Sequence, residues 1–77
     1  MIVDDMDIIR REFKRLKLWG EKTGFIILEE ARNGYEALLK LETNSFDMII
    51  TDIKMPKIDG LELLQKIIGK ITVIALF

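Results

Sequence analysis

The sequence predicts an α/β fold, a parallel β-sheet with helices on both faces and the element order β-α-β-α-β-α-β. Three observations lead there. Short apolar runs alternate with segments of helical periodicity about a dozen residues long. The five glycines fall at the ends of those segments, and the single proline, Pro56, lies in a loop between two of them. Finally, two apolar runs, Ile2-Val3 and Met48-Ile49-Ile50-Thr51, stop abruptly on aspartates, as strands do when they deliver side chains to the rim of a sheet.

Met1-Ile2-Val3 reads as a first strand, short at its beginning. Asp7 is the expected N-cap of the first helix. Ile9, Phe13 and Leu16 then recur at i, i+4, i+7, with Arg10, Arg11, Lys14, Arg15 and Lys17 on the remaining faces, which predicts an amphipathic helix to about Trp19 with Gly20 as its stop. Residues 24–30, opened by Gly24 and closed by Glu29 and Glu30, form the second predicted strand. Asn33-Gly34 has the composition of a hairpin turn, but Tyr35, Leu38, Leu39 and Leu41 follow at helical spacing, so it introduces the second helix. Asn44-Ser45 ends that helix, residues 46–50 make the third strand, and 54–60 are a loop. Leu61, Leu64, Ile67 and Ile68 give a third helical face, closed by Gly69-Lys70. Residues 71–77 are a fourth strand with the continuous apolar character of a buried position. Right-handed crossovers leave few topologies for this order. A sheet whose last element is an uncovered apolar strand is expected to be an incomplete domain.

Seventy-seven residues suffice for one small domain, which buries roughly 60–65% of its unfolded surface and so has a thin stability margin. At 49% hydrophobic and 32% charged the chain is globular rather than disordered. The net charge of −1 gives no bulk argument for nucleic acid. Half of the 12 basic residues lie between Arg10 and Lys22, and a solvated helix face accounts for them better than a nucleic-acid contact. There is no Cys and no His, which excludes disulfides, thiolate and imidazole metal ligands, and Cys or His catalysis. Any metal is therefore held by oxygen, as Mg²⁺ or Ca²⁺ would be. The N-terminus turns acidic at once, unlike a signal peptide, and the longest apolar run falls far short of the ~20 residues of a membrane span. A cytoplasmic location is expected.

In open parallel sheets, ligands bind beyond the carboxyl ends of the strands, where strand order reverses. With the order 2-1-3-4 that point lies between the first and third strands, at Asp4, Asp5 and Asp52. Any one of these alone is most simply a cap or turn former. As a set they would raise one another's pKa unless a cation such as Mg²⁺ neutralised them. Asp47 reads as a turn residue at the strand entry, and Met6, Met48 and Met55 as packing residues. No phosphate-cradling glycine loop competes with the acids. An aspartate nucleophile that takes a phosphoryl group is the covalent chemistry this composition best permits.

The segments Ile2-Val3-Asp4-Asp5, Glu30-Ala31-Arg32-Asn33-Gly34-Tyr35-Glu36-Ala37-Leu38, Asp47-Met48-Ile49-Ile50-Thr51-Asp52-Ile53-Lys54-Met55-Pro56 and Asp59-Gly60-Leu61 carry a resemblance. Together they resemble the receiver domain of bacterial two-component response regulators, of flavodoxin-like fold. The resemblance runs the length of the chain, residues 1–77, and about the first three-fifths of a family domain of ~120 residues. It implies that Asp52 is the phosphoacceptor, attacking a phosphohistidine on a sensor histidine kinase. It implies Mg²⁺ bound directly by Asp5, through water by Asp4, and by the Lys54 backbone carbonyl, bridging Asp52 and the phosphoryl oxygens. The chain would then be a signalling acceptor in a phosphorelay rather than an enzyme. The Thr51-Asp52-Ile53-Lys54-Met55-Pro56 variant, with Trp19 and Gly24-Phe25, resembles regulators with an AraC-type DNA-binding output, so transcription regulation is expected of the full-length protein, without direct nucleic-acid or membrane binding by this chain. Two departures stand out. The family places Ser or Thr at the end of the fourth strand, at or next to Phe77, and a Lys after a fifth strand. A second reading is a self-association module without phosphotransfer, pairing through the exposed edge of strand four, with Trp19 and Phe77 as candidate contacts although core packing suits both better. A flavodoxin-like ligand binder is a third, disfavoured by the missing phosphate loop.

Overall fold

In the computed structural model, which describes residues 1–17, 19–20, 23–27, 29–56, 58–69, 71 and 73–77, the predicted element order is observed. It runs β1 (Ile2–Val3), α1 (Asp7–Arg15), β2 (Glu30–Ala31), α2 (Gly34–Thr43), β3 (Met48–Thr51), α3 (Gly60–Ile67) and β4 (Val73–Leu76). The four strands form one parallel sheet in the order β2-β1-β3-β4, as expected. Ile2 lies opposite Glu30 on one side and Ile50 on the other; Val3 lies opposite Ala31 and Thr51.

Side chains alternate across a strand, and this divides the sheet into two faces. Val3, Ala31 and Ile49 pack with Ala37 of α2 and with Leu63 and Ile67 of α3, all fully buried, joined by Met55 and Ile71. Ile2, Ile50 and Glu30 alternate to the opposite face, where α1 reaches Glu30 through Arg10 and Lys14. Helices thus cover both faces. The α2 and α3 starts are fixed by their own sequence: Asn33 Oδ1 accepts the Glu36 N–H at 2.7 Å and Asp59 Oδ1 accepts the Glu62 N–H at 2.9 Å, each cap contributing about 1 kcal/mol.

Several boundaries move for identifiable reasons. The N-cap of α1 is Met6, not Asp7, and no side chain caps it directly. The helix ends at Arg15 rather than Trp19, because Leu16 turns extended and the Trp19 indole N–H donates to the Phe13 carbonyl at 2.6 Å, the acceptor a further turn would use. Residues 24–27 make no strand. Gly24 N–H bonds the Gly20 carbonyl and Gly20 N–H the Phe25 carbonyl, both at 2.7 Å, in a turn with both glycines at positive φ. β2 is confined to Glu30–Ala31, the residues that face the two ladder positions of β1. β3 is shifted to Met48–Thr51, with Phe46 packed on the core ahead of it. β4 pairs over Val73–Leu76, while Ile71 makes an isolated bridge to Ile68. The sequence expectations for Leu18, Lys22, Leu28, Lys57, Lys70 and Thr72 fall outside the described residues.

Two helical faces also differ from the periodicity. α3 buries Gly60, Leu63 and Ile67, whereas Leu61 and Ile68 are exposed. Leucine and isoleucine surround this helix, so spacing alone leaves its phase open, and the close approach of Gly60 to the chain after β3 sets it. In α2, Ala37 is buried and Leu38 and Leu41 pack on the core, while Tyr35 and Leu39 face solvent. Leu76 and Phe77 are exposed as well, unlike the buried character their composition suggests. Phe77 nonetheless packs its ring on Phe13 of α1, centroids 4.9 Å apart, and Trp19 is half-buried. Among the described residues no helix is long and apolar enough to cross a membrane.

Candidate metal centre

Strand order reverses between β1 and β3, and the backbone sets two acids side by side at that point. Asp4 N–H donates to the Ala31 carbonyl at 3.0 Å, and Asp52 N–H donates to the Val3 carbonyl at 3.0 Å. One residue past its strand in each case, Asp4 and Asp52 therefore stand at the same level, with Asp5 next to them. A carboxylate oxygen from each of Asp4, Asp5 and Asp52 lies within 4.8 Å of the other two. Asp4 is buried, Asp52 half-buried and Asp5 exposed. Asp4 Oδ1 accepts the Met6 N–H at 2.8 Å, and Asp52 Oδ1 accepts the Lys54 N–H at 3.2 Å. Each of these two carboxylates uses one oxygen to hold the turn that follows its strand.

Burial pushes the Asp4 carboxyl above its ordinary value; the Met6 N–H opposes this, and the nearby charges of Asp52 and Asp5 push the same way as burial. Among the described residues no ion pair joins Asp4, Asp5 or Asp52 to a cationic side chain. An all-oxygen donor set with excess negative charge and a partly open mouth fits a hard divalent cation such as Mg²⁺.

The chain after β3 is clamped from both sides. Ile53 N–H donates to the Phe77 carbonyl at 3.0 Å, and Gly60 N–H donates to the Ile53 carbonyl at 2.8 Å. Thr51, fully buried, donates its hydroxyl to the Asp52 carbonyl at 3.1 Å. A Cβ on Gly60 would sit 2.3 Å from the Asp52 carbonyl oxygen, so only glycine lets α3 come this close. Met55 is buried in the core, as its packing role required, whereas Met6 is exposed. Phe77 N–H bonds the Thr51 carbonyl at 3.2 Å, so with its own carbonyl on Ile53 it flanks Asp52 across the β3–β4 pair. The basic side chain of Lys54 is exposed; its backbone belongs to the turn that Asp52 holds.

Asp7 and Asp47 are not among the gathered acids. Arg10 is the residue the periodicity misplaces. Counted with the solvated basic face, it is 6% exposed. Its Nη1 donates to the Asp4 carbonyl at 2.5 Å, its Nε to Glu30 Oε1 at 2.8 Å and its Nη2 to the Asp7 carboxylate. The only trace in the sequence is the (i, i+3) spacing of Asp7 and Arg10, a common helix-surface pair that does not signal burial.

The family model of the response regulator receiver domain matches residues 1–76. A Caulobacter vibrioides protein-glutamate methylesterase/protein-glutamine glutaminase 2 is 44% identical over 69 residues, 90% of this chain and 19% of that protein. A Myxococcus xanthus gliding motility regulatory protein is 38% identical over 68 residues, 87% of this chain and 8% of that protein. The chain therefore spans less than a fifth of the length of either of these two relatives.

Proposed function

Because this chain belongs to the response regulator receiver domain family, we propose that it accepts a phosphoryl group on Asp52 from the phosphohistidine of a sensor histidine kinase. The observation that carries the reading is the meeting of Asp4, Asp5 and Asp52 within 4.8 Å at the strand-order reversal, without a protein cation to neutralise them among the described residues. Asp52 offers Oδ2 to phosphorus, while Oδ1 stays on the Lys54 N–H and fixes the carboxylate plane. The new P–O bond forms as the P–N bond to the imidazole breaks, and the imidazole takes up a proton. Asp52 and Asp5, with the Lys54 backbone carbonyl, would hold Mg²⁺ directly and Asp4 would hold it through water. When bound, the ion supplies positive charge that offsets the phosphoryl oxygens in a loose transition state. The rest is positioning by the clamped turn after β3. On this reading the chain is an acceptor used once per signal and not an enzyme, and it works in the cytoplasm, where histidine kinases present their phosphohistidine.

The two relatives above carry this region within proteins of quite different description. An AraC-type DNA-binding output and a role in transcription are proposed for the full-length protein on the Thr51-Asp52-Ile53-Lys54-Met55-Pro56 variant together with Trp19 and Gly24-Phe25. A second reading, self-association, is favoured by β4, which lies at the sheet edge with Leu76 and Phe77 exposed.

Incubation with Mg²⁺ and acetyl phosphate, read by intact mass, tests the first reading. Wild type should gain one phosphoryl group and Asp52→Asn none. A wild-type chain that gains no mass, or a variant that gains as much, would sink the assignment. Sedimentation over a concentration series tests the second, which a monomer at every concentration would refute.

A further inference from the structure

We propose that Arg10 is a positioning residue for the acid cluster, its buried guanidinium fixing the turn that carries Asp4 and Asp5. The role presupposes that the cluster is the cation and phosphoryl site. Four other basic residues of the first helical segment, Arg11, Lys14, Arg15 and Lys17, are exposed, and Arg10 alone among them is buried. Such a burial costs desolvation of a permanent charge, so it persists only with fixed partners.

The partners come from three places. Nη1 holds the Asp4 carbonyl at 2.5 Å, Nε holds Glu30 Oε1 at 2.8 Å, and Nη2 holds the carboxylate of Asp7, one helical turn back. A guanidinium is a flat fork with donors in fixed directions. With Nε, Nη1 and Nη2 each on a different group, its plane and position are determined. The far side of the anchor is braced in turn. Lys14 Nζ binds Glu30 Oε2 at 2.6 Å, and Lys40 Nζ binds the Glu30 carbonyl at 2.5 Å, so α1 and α2 both hold the first residue of β2, on which Arg10 rests.

The fork steadies the turn just past the end of β1. β1 has only two ladder residues, and the Asp4 carbonyl lies one residue beyond the last of them. Asp4 is tied through its N–H to Ala31 and through Oδ1 to Met6. The guanidinium adds the third tie, on the carbonyl, at the peptide that leads directly into Asp5. Rotation of that one peptide would carry the Asp5 carboxylate away from Asp52 while leaving the sheet intact. Groups that orient cation ligands without touching the cation change its affinity about 10–100-fold when removed.

Mg²⁺ titration by calorimetry tests this on the full chain, at a temperature well below every melting point. The set is wild type, Arg10→Met, Glu30→Gln and Leu41→Ala, the last a core change distant from the rim. Arg10→Met should weaken Mg²⁺ binding about tenfold. Glu30→Gln should weaken it less but in the same direction, and Leu41→Ala should lower the melting temperature and leave the affinity at the wild-type value. A folded Arg10→Met with wild-type affinity overturns the role, as does a Leu41→Ala that loses affinity to the same extent. Should Arg10→Met not fold, Glu30→Gln decides: weakened binding supports the role and wild-type binding ends it. A wild-type chain that binds no Mg²⁺ overturns the cation site itself, and the positioning role with it.

Discussion

Two places in this sheet, the start of β2 and the carboxyl ends of β1 and β3, gather acids and treat them in opposite ways. Where β2 begins, rather than closing it as residues 24–30 suggest, Glu29 is bound by Lys40 at 2.9 Å, and Glu30 by Lys14 at 2.6 Å and Arg10 at 2.8 Å. The Lys40 hydrogen bond holds the Glu29 carboxyl below its ordinary value, and the Lys14 hydrogen bond, followed by that of Arg10, does the same for Glu30. At the ends of β1 and β3, Asp4, Asp5 and Asp52 meet one another instead, and burial lifts the Asp4 carboxyl above its ordinary value. One cluster is neutralised by the protein's own cations and serves structure. The other pairs with no cationic side chain among the described residues. The number of acids is similar; the partners make the difference.

The strongest way to break the contrast is mechanical. Gly60→Ala would place a methyl 2.3 Å from the Asp52 carbonyl oxygen and 2.7 Å from Ile53 Cα, backbone atoms that cannot rotate aside. It should cost about 3 kcal/mol in urea denaturation and abolish the Mg²⁺-induced rise in melting temperature, with the β2 cluster untouched. A variant with wild-type stability would mean that α3 is not seated as described. Asp4→Asn comes next. It removes one member of the repelling trio and keeps an oxygen for the Met6 N–H, so it should stabilise the Mg²⁺-free domain by on the order of 1 kcal/mol while weakening Mg²⁺ binding. Destabilisation without Mg²⁺ would show that the trio is not under electrostatic tension.

Glu30→Gln should act with the opposite sign. It should lower the stability of the Mg²⁺-free domain, though by less than about 1 kcal/mol, because the Glu30 side chain is 36% exposed and solvent screens its pairs. No loss at all would remove the structural role of that cluster. The smallest effect is the pH dependence of unfolding. Glu30, depressed in the fold, contributes stability that is present above the ordinary glutamate range and is lost as pH falls through its lower folded value. Asp4, raised in the fold, is a burden above its raised value, relieved as the carboxyl takes a proton and gone below the ordinary aspartate range. Acidification should therefore destabilise Asp4→Asn more steeply than wild type, since the variant keeps the Glu30 loss without the Asp4 relief. Mg²⁺ should also bind wild type more weakly once Asp4 is protonated. Parallel stability curves against pH for the two chains would count against the raised Asp4.

Much of this was legible without coordinates. Asn33-Gly34 introduces α2 and the loop through Gly60 leads into α3, as the sequence suggests, and the structure adds that Asn33 and Asp59 cap these helices through contacts only a few residues long. The acid trio followed from apolar runs that end on aspartate, together with a strand order that few topologies allow. Where apolar residues surround a helix, as with Leu61, Leu63, Leu64, Ile67 and Ile68, periodicity does not choose the buried face, and the approach of Gly60 to the chain just after β3 chooses it. Residues 24–30 form less strand than their composition suggests, for a similar reason. β-propensity suggests a strand, but only a partner's ladder defines one, and β1 presents two positions.

By itself, then, the sequence determined the element order, two of the three helix starts and the identity of the acids at the rim, because caps, alternation and strand-terminal residues are local chemistry. The tertiary structure alone decided which acids are neutralised. Arg10 reads like its basic neighbours along the helix, and its burial between Asp4, Asp7 and Glu30 depends on how α1 lies across β1 and β2. Long-range electrostatics depend on distance in space, and the chain writes down only distance along itself.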